Sequence, residues 1–148
     1  MTAILLAYIG VFFMVGFSGM ASAIGTAICG ITAVGSMKKD SSKFGSYMIL
    51  SALPGSQGLY GFVAYFMISG FLVPEITIAQ GVAIFAGGLV MALVATISAY
   101  MQSRVCANGI AAMGNGHDVM TNTLILAAFP ELYAILGLAS VFLISIAI

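Results

Sequence analysis

Residues 120–147 read MTNTLILAAFPELYAILGLASVFLISIA, and the only charged side chain among them is that of Glu131. A helix needs about 20 predominantly apolar residues to cross the ~30 Å hydrocarbon core of a bilayer. This run is longer than that. It therefore predicts a transmembrane helix that carries one carboxylate near the middle of the membrane.

The rest of the chain divides in the same way. Three polar breaks separate further apolar segments, which cover residues 3–36, 44–72 and 78–113. Of the 148 residues, 62% are hydrophobic and 5% charged, and the mean hydropathy is +1.20. A soluble domain carries about 25% charged residues. The sequence therefore predicts an all-α membrane protein of four transmembrane helices.

Two classes of function do not fit this composition. The chain has four basic and four acidic residues and no net charge, so it offers no basic patch for nucleic acid. It also contains no phosphate-binding loop of the G-x-x-x-x-G-K-[ST] type. Any hydrolysis of ATP would have to take place on another chain, and no catalytic residue is predicted.

The distribution of lysines predicts the orientation. Lys38, Lys39 and Lys43 all lie in the first polar break, whereas the second break has no Lys or Arg. Cytoplasmic loops are enriched in these residues. We therefore expect loop 37–43 to be cytoplasmic, and loop 114–119 lies on the same side because two spans separate the two loops. Both termini would then be outside, and the chain would be a multi-pass protein of the cell membrane.

The chain also repeats itself at a fixed offset, which aligns Pro54 with Pro130. Pro54–Phe62 reads PGSQGLYGF and Pro130–Leu138 reads PELYAILGL, with a glycine in the first copy where the second has Glu131. The simplest explanation is a duplicated helical hairpin. Residues 1–72 would form a first hairpin without a carboxylate, and residues 78–148 a second hairpin that carries it.

Three polar side chains lie at nearly the same predicted depth. Gln57 follows the first break, Gln102 precedes the third and Glu131 follows the third, each at a distance of about 3 to 4 helical turns. An ionisable group inside the membrane costs ~2.5–3.5 kcal/mol even on the gentler scales, so it indicates function. Arg104 is two positions from Gln102 and should face another direction. We expect it to extend toward the cytoplasm rather than to pair with Glu131.

The second segment adds further oxygen atoms to this level. Four of its residues share one helix face at spacing i, i+3, i+4 and i+7: Leu53, Ser56, Gln57 and Tyr60. Pro54 has no N–H and can leave a nearby carbonyl, such as that of Leu53, available as a ligand. The candidate ion ligands are the Glu131 carboxylate, the Gln57 and Gln102 amides, the Ser56 hydroxyl and the Leu53 carbonyl. Tyr60 is expected to hydrogen-bond the carboxylate and orient it.

This set of oxygens suits a hard monovalent cation that has lost its water. A carrier of protons needs only a carboxyl group that burial keeps easy to protonate, whereas Na⁺ needs other oxygens to replace its hydration shell. One carboxylate and one Na⁺ also make a neutral site that can face lipid. We therefore predict Na⁺ as the bound ion, with H⁺ alone as the alternative.

These residues resemble one known family over essentially the whole chain. The stretch LPGSQGLYG at 53–61, Gln102, the stretch PELYAILG at 130–137 and the duplicated hairpin resemble the proteolipid (K or c subunit) of V-type ATPases. They are most similar to the rotor-ring subunit of bacterial sodium-pumping V-ATPases. The resemblance implies a ring of identical subunits in the bilayer, turned by ATP hydrolysis in a separate head. It also implies a membrane stator subunit with an arginine and a central stalk subunit on the cytoplasmic side.

The resemblance also implies roles for single residues. Glu131 would be the ion-binding carboxylate, and the other Na⁺ ligands would be the Leu53 carbonyl, Ser56, Gln57 and Gln102. Tyr60 would hold the glutamate in its locked state. Ser56 stands where the sodium relatives usually have threonine, so the hydroxyl is kept. Proton-type relatives generally lack the glutamine pair, which favours Na⁺.

Three other functions remain open at this point. The same rotor could carry H⁺, although the glutamine pair and Ser56 argue against it. A small four-helix carrier could exchange a cationic substrate for protons at Glu131. A purely structural membrane protein is the third option, and the lack of an evident partner for Glu131 argues against it. Assembly into a ring would separate the rotor from the last two.

Overall fold

The computed structural model describes residues 2–148, so Met1, which belongs to the predicted first hairpin, lies outside the described residues. In chain order the elements are α1 (Thr2–Val11), a π-helical turn (Phe12–Phe17), α2 (Ser18–Met37), α3 (Phe44–Ala52), a 3-10 turn (Leu53–Gly55), α4 (Ser56–Ile68), a second 3-10 turn (Ser69–Phe71), α5 (Ile78–Gly114) and α6 (Met120–Ala147). The predicted all-α architecture is confirmed over these residues.

The helical backbone forms four rods packed side by side. The central rod is α5, which packs against α6 on one side and against α1 and α2 on the other, while α4 packs against α2, α5 and α6. The first and third loops meet at one end, where Lys39 Nζ donates a 2.7 Å hydrogen bond to Asn115 Oδ1. At the opposite end Gln80 Nε2 donates to the Ile148 carbonyl at 2.8 Å.

The surface of this bundle is apolar and its interior holds amides. Ile31 is 74% exposed and Leu93 63%, whereas Gln57 and Gln102 are fully buried. This is the polarity expected of a protein whose solvent is lipid, because large exposed apolar surfaces are rare on soluble monomers. Three helical stretches are long and apolar enough to span a membrane, and they agree within one residue with the predicted segments: Thr2–Met37, Ile78–Gly114 and Met120–Ala147.

The second segment departs from the single helix predicted over 44–72. It is helical over 44–71, but in four pieces that are individually too short to count as a membrane span. The break is at Pro54, which has no N–H for the carbonyl of Leu50 four residues earlier. The backbone tightens there into a 3-10 turn, in which the N–H of Ser56 donates to the Leu53 carbonyl. Helix length alone therefore does not confirm four spanning helices.

A π-helical turn at Phe12–Phe17 was not predicted either. Next to it, the Ser18 hydroxyl donates a 2.6 Å hydrogen bond to the Met14 carbonyl. Gly61 of α4 lies directly against these two groups, and a Cβ at that position would overlap both of them. Small residues at such contacts let helix backbones approach closely in membranes. The rod over residues 2–37 and α4 are therefore in intimate contact one turn beyond Gln57.

The loops are ordered by local hydrogen bonds. In the first loop Asp40 accepts from the hydroxyl of Ser42 at 2.6 Å and from its N–H at 3.0 Å, and these bonds lower the pKa of Asp40. After α5 the chain turns at Gly116, whose φ of 92° lies in the left-handed region that glycine adopts without strain.

Candidate ion-binding site

Three helices bring five polar side chains together inside the bundle. Gln57 and Tyr60 lie on α4, Ser98 and Gln102 on α5, and Glu131 on α6. Both glutamines are fully buried and Ser98 is 4% exposed, whereas Glu131 and Tyr60 are partly buried. The structure thus brings Gln57, Gln102 and Glu131 into one cluster, as their similar depths predict.

Both oxygens of the Glu131 carboxylate accept a hydrogen bond from a neutral donor. The Tyr60 hydroxyl donates to Oε1 at 2.6 Å, and Gln102 Nε2 donates to Oε2 at 3.0 Å. Bonds of this kind to an ionised group are about twice as strong as those between neutral groups. They hold the carboxylate between α4 and α5, and the Tyr60 contact is the one predicted to orient it.

The two glutamines are linked to each other. Gln57 Nε2 donates to Gln102 Oε1 at 2.8 Å, and Gln102 Nε2 also donates to the Ala127 carbonyl at 3.0 Å. Buried polar atoms are almost always hydrogen-bonded, yet Gln57 Oε1 has no partner. Within residues 2–148 it shares this property with one other buried side-chain atom, Thr96 Oγ1. An unpaired amide oxygen therefore lies inside the cluster that holds Glu131.

Ser98 belongs to the cluster and was not predicted from the sequence. Its hydroxyl accepts from Gln57 Nε2 at 3.1 Å and donates to the Pro130 carbonyl at 2.8 Å. It therefore connects α4, α5 and α6. The sequence did contain a signal, because Ser98 precedes Gln102 by four residues and so lies on the same helix face.

Leu53 and Ser56, the other two predicted ligands, are hydrogen-bonded to each other. The Ser56 hydroxyl donates to the Leu53 carbonyl at 3.0 Å, and the Ser56 N–H donates to it as well. The sequence suggested that Pro54 leaves the Leu53 carbonyl without a hydrogen-bond donor. The carbonyl that loses its helical donor is instead that of Leu50, four residues before the proline. The Ser56 oxygen keeps its lone pairs, because its contact with Leu53 uses only its proton.

No basic side chain of the described residues balances Glu131. The ion pair found within residues 2–148 joins Lys43 and Asp40 in the first loop, at 3.9 Å. Arg104 is exposed whereas Gln102 is buried, as the spacing of the two residues predicts. A carboxylate inside a membrane bundle needs a compensating charge or proton, and the neutral donors around Glu131 do not supply one.

The donor atoms decide what kind of ion fits. Within residues 2–148 no group of three or more His, Cys, Asp or Glu side chains could hold a metal ion, so the pattern typical of zinc or another transition metal is missing there. Carboxylate, amide and hydroxyl oxygens suit hard cations. A single carboxylate matches a single positive charge.

The fold and this cluster are those of a helical membrane protein with one carboxylate in its interior. Comparison with known proteins identifies its family. The family model for the C subunit of ATP synthase matches the chain twice, over residues 9–68 and 85–144. V-type sodium ATPase subunit K of Enterococcus hirae is 38% identical over 128 residues, which cover 86% of this chain and 82% of that protein. A-type ATP synthase subunit K of Methanocaldococcus jannaschii is 33% identical over 135 residues, which cover 91% of this chain and 59% of that longer protein.

The chain belongs to the family of the ATP synthase C subunit, among the membrane-embedded proteolipid subunits of V-type and A-type ATPases. This confirms the resemblance noted from the residues, and with it a role in ion transport. The identity of the ion is a separate question, which the chemistry of the cluster addresses.

Proposed function

We propose that the chain is the rotor-ring subunit of a sodium-translocating V-type ATPase. Each copy binds Na⁺ at Glu131 and carries it through the membrane as a ring of identical subunits turns. ATP is hydrolysed in a separate soluble head, so this chain is a non-catalytic, ion-translocating part of the machine.

The observation that carries this proposal is the unpaired Gln57 oxygen in the same hydrogen-bonded cluster as an unbalanced carboxylate. Gln57 Oε1 is buried without a hydrogen-bond donor, and a cation would supply what it lacks. The proposed Na⁺ ligands are the Glu131 carboxylate, the Gln57 and Gln102 amide oxygens, the Ser56 hydroxyl and the Leu53 carbonyl. Tyr60 orients the carboxylate through its 2.6 Å hydrogen bond.

The same observation favours Na⁺ over H⁺. A proton would neutralise Glu131 without any further oxygen atom, whereas a desolvated Na⁺ needs several neutral oxygens around it. Two fully buried glutamines meet that need, because Gln102 contacts the carboxylate and Gln57 contacts Gln102. The Enterococcus hirae relative is a subunit of a V-type sodium ATPase, which supports the choice. The same rotor coupled to H⁺ is the alternative.

A neutral, loaded site explains how such a ring can turn. With Na⁺ bound, the site as a whole carries no net charge and can pass through lipid, whereas the empty, ionised carboxylate cannot do so cheaply. A membrane stator subunit with an arginine would replace the Na⁺ as counter-charge and release it. The requirement for a charge in the site thus couples rotation to transport.

We also propose four spanning rods that arise from two hairpins, residues 1–72 and 78–148. The two family matches begin at residues 9 and 85, which have the same separation as Pro54 and Pro130 of the internal repeat. The first and third loops share one end of the bundle. The lysines of the first loop support a position of that end on the cytoplasmic side of the cell membrane, where a central stalk subunit would contact loops 37–43 and 114–119.

Labelling of Glu131 by a hydrophobic carbodiimide tests the proposal. The reagent reacts with a protonated carboxyl group, so a bound cation should block it. In purified protein at fixed pH we expect millimolar NaCl to protect Glu131 and the same concentration of KCl to give no protection. Glu131→Gln is the control for site specificity, because it replaces the reactive carboxyl group with an unreactive amide of the same shape.

Each other outcome has a definite meaning. Labelling that depends on pH but not on Na⁺ would contradict sodium coupling and support the H⁺ rotor. Protein that stays monomeric in mild detergent would contradict the ring and support a small carrier instead.

A further inference from the structure

Ser98 connects the three helices that form the site, although it is not one of the proposed Na⁺ ligands. Its side chain is 4% exposed. The hydroxyl oxygen is 2.8 Å from the Pro130 carbonyl oxygen on α6 and 3.1 Å from Gln57 Nε2 on α4. Ser98 thus contacts the backbone beside Glu131 and one of the amides that would bind the ion.

The single proton of this hydroxyl decides which atom of Gln57 faces Ser98. A carbonyl oxygen can only accept, so the contact with Pro130 uses the Ser98 proton. The Ser98 oxygen can then only accept from Gln57, and an amide oxygen has no proton to donate. The Gln57 amide must therefore turn its nitrogen toward Ser98 and its oxygen away from it.

The Gln102 amide is fixed by the same rule. Its Nε2 atom is 3.0 Å from the Ala127 carbonyl oxygen and 3.0 Å from Glu131 Oε2, and both of these accept. Gln102 therefore presents its oxygen to Gln57, whose Nε2 then uses its two protons on Ser98 and Gln102. Gln57 Oε1 remains as the buried acceptor without a donor.

We propose that Ser98 is a positioning residue that makes the site selective for a metal cation, because it holds the nitrogen of the Gln57 amide and so leaves the amide oxygen free to bind the cation. The inference rests on the proposed function and adds a residue to it. Without the Ser98 hydroxyl, the Gln57 nitrogen keeps only its bond to Gln102 Oε1, so the amide loses one of the two contacts that fix its orientation. An amide held by one contact instead of two turns more readily and then presents its protons to the ion, which repel a cation.

The test measures the Na⁺ concentration that halves carbodiimide labelling of Glu131 in purified rings at one fixed pH. For Ser98→Ala we expect that concentration to rise about 10- to 100-fold, the usual effect of removing a group that orients a metal ligand. The labelling rate without Na⁺ should stay the same. Ser98→Thr keeps the hydroxyl and its proton and should behave like the wild type.

A double-mutant cycle shows whether Ser98 acts through Gln57. In a Gln57→Ala background, Ser98→Ala should raise the protecting Na⁺ concentration no further. If Gln57→Ala abolishes protection altogether, the contrast between Ser98→Ala and Ser98→Thr decides. Ser103→Ala is the matched control: Ser103 is fully buried on α5, and its hydroxyl donates at 2.7 Å only to the Tyr100 carbonyl of the same helix.

Several results would overturn the proposal. Ser98→Ala rings that are protected at the wild-type Na⁺ concentration would show that the hydroxyl is not needed. Equal losses in Ser98→Ala and Ser98→Thr, or failure of Ser98→Ala to form rings, would make Ser98 a packing residue. A wild-type protein that Na⁺ does not protect would instead contradict the proposed function itself.

Discussion

At the scale of single residues, the site is a network of hydrogen bonds in which one acceptor has no donor. Tyr60 and Gln102 occupy both oxygens of Glu131, and Gln57 and Ser98 use every proton they have. What remains unsatisfied is an acceptor, Gln57 Oε1. A network that lacks a donor, rather than an acceptor, is suited to bind a cation.

Tyr60→Phe tests the contact that orients the carboxylate. The hydroxyl lies 2.6 Å from Glu131 Oε1, and a hydrogen bond to a charged group contributes roughly 1.5–3 kcal/mol. We expect Na⁺ binding to weaken about tenfold or more when it is lost. Tyr133→Phe is the matched control, because the Tyr133 ring is 63% exposed and lies two residues beyond Glu131. Unchanged binding of Na⁺ by Tyr60→Phe would show that the hydroxyl does not hold the site.

The sequence predicts part of this site because helix geometry converts residue number into depth. A constant rise of about 1.5 Å per residue is enough to place Gln57, Gln102 and Glu131 at one level. Side-chain direction does not follow as easily. Ser98 lacks a charge, and a serine in a helix can instead bond to its own backbone, so its contact with Pro130 on another helix does not follow from its position in the sequence.

At the scale of elements, the break at Pro54 separates α3 from α4, so that α4 begins with its own N-terminus inside the bundle. The first N–H groups of a helix have no partner within it. The N–H of Gly58 instead donates to Ser22 Oγ of α2 at 2.8 Å. A side chain from another rod thus caps the helix that carries Gln57 and Tyr60.

Ser22→Ala should therefore loosen the start of α4. We expect a loss of about 1 kcal/mol of stability, the usual contribution of a capping hydrogen bond, measured as a lower midpoint of unfolding in detergent. Ser140→Ala is the control, since that hydroxyl donates only to the Leu136 carbonyl of its own helix. Equal midpoints for Ser22→Ala and the wild type would show that the cap adds nothing.

Gly61→Ala tests the contact between α4 and the rod over residues 2–37. A Cβ at this position would overlap the Ser18 hydroxyl and the Met14 carbonyl, and overpacking of this kind usually costs about 1–3 kcal/mol. We expect a clearly lower unfolding midpoint. Gly35→Ala is the control, because a Cβ there meets nothing within 4 Å. A Gly61→Ala protein as stable as the wild type would contradict the close packing.

Hydrophobicity predicts the bounds of three long helices within one residue because each ends where its apolar run ends. It does not predict the π-helical turn at Phe12–Phe17 or the exact course of 44–71. The π-helical turn contains no proline, and it lies against Gly61, a residue distant in sequence. Pro54 marks the second break, but the choice of a 3-10 turn depends on how the bundle packs around it.

At the scale of the whole molecule, the proposed topology has four spans, with loops 37–43 and 114–119 on the cytoplasmic side. Single cysteines at Ser41 and Glu75 test whether the segment between them spans the membrane. The native Cys29 and Cys106 are fully buried, so they should not react with the reagent. We expect a membrane-impermeant thiol reagent to label Ser41→Cys only from the cytoplasmic side and Glu75→Cys only from the outside. If both cysteines are labelled from the same side, residues 44–72 do not cross the membrane once, as the proposed topology requires.

Binding of radioactive Na⁺ to the purified ring tests the central claim most directly. We expect saturable binding of one Na⁺ per chain, since each chain has one carboxylate at this depth, with no displacement by an equal concentration of K⁺ and no binding by Glu131→Gln. If wild-type rings bind no Na⁺ at saturating concentrations, or if K⁺ displaces it equally well, the site is not a sodium site and the rotor carries another ion.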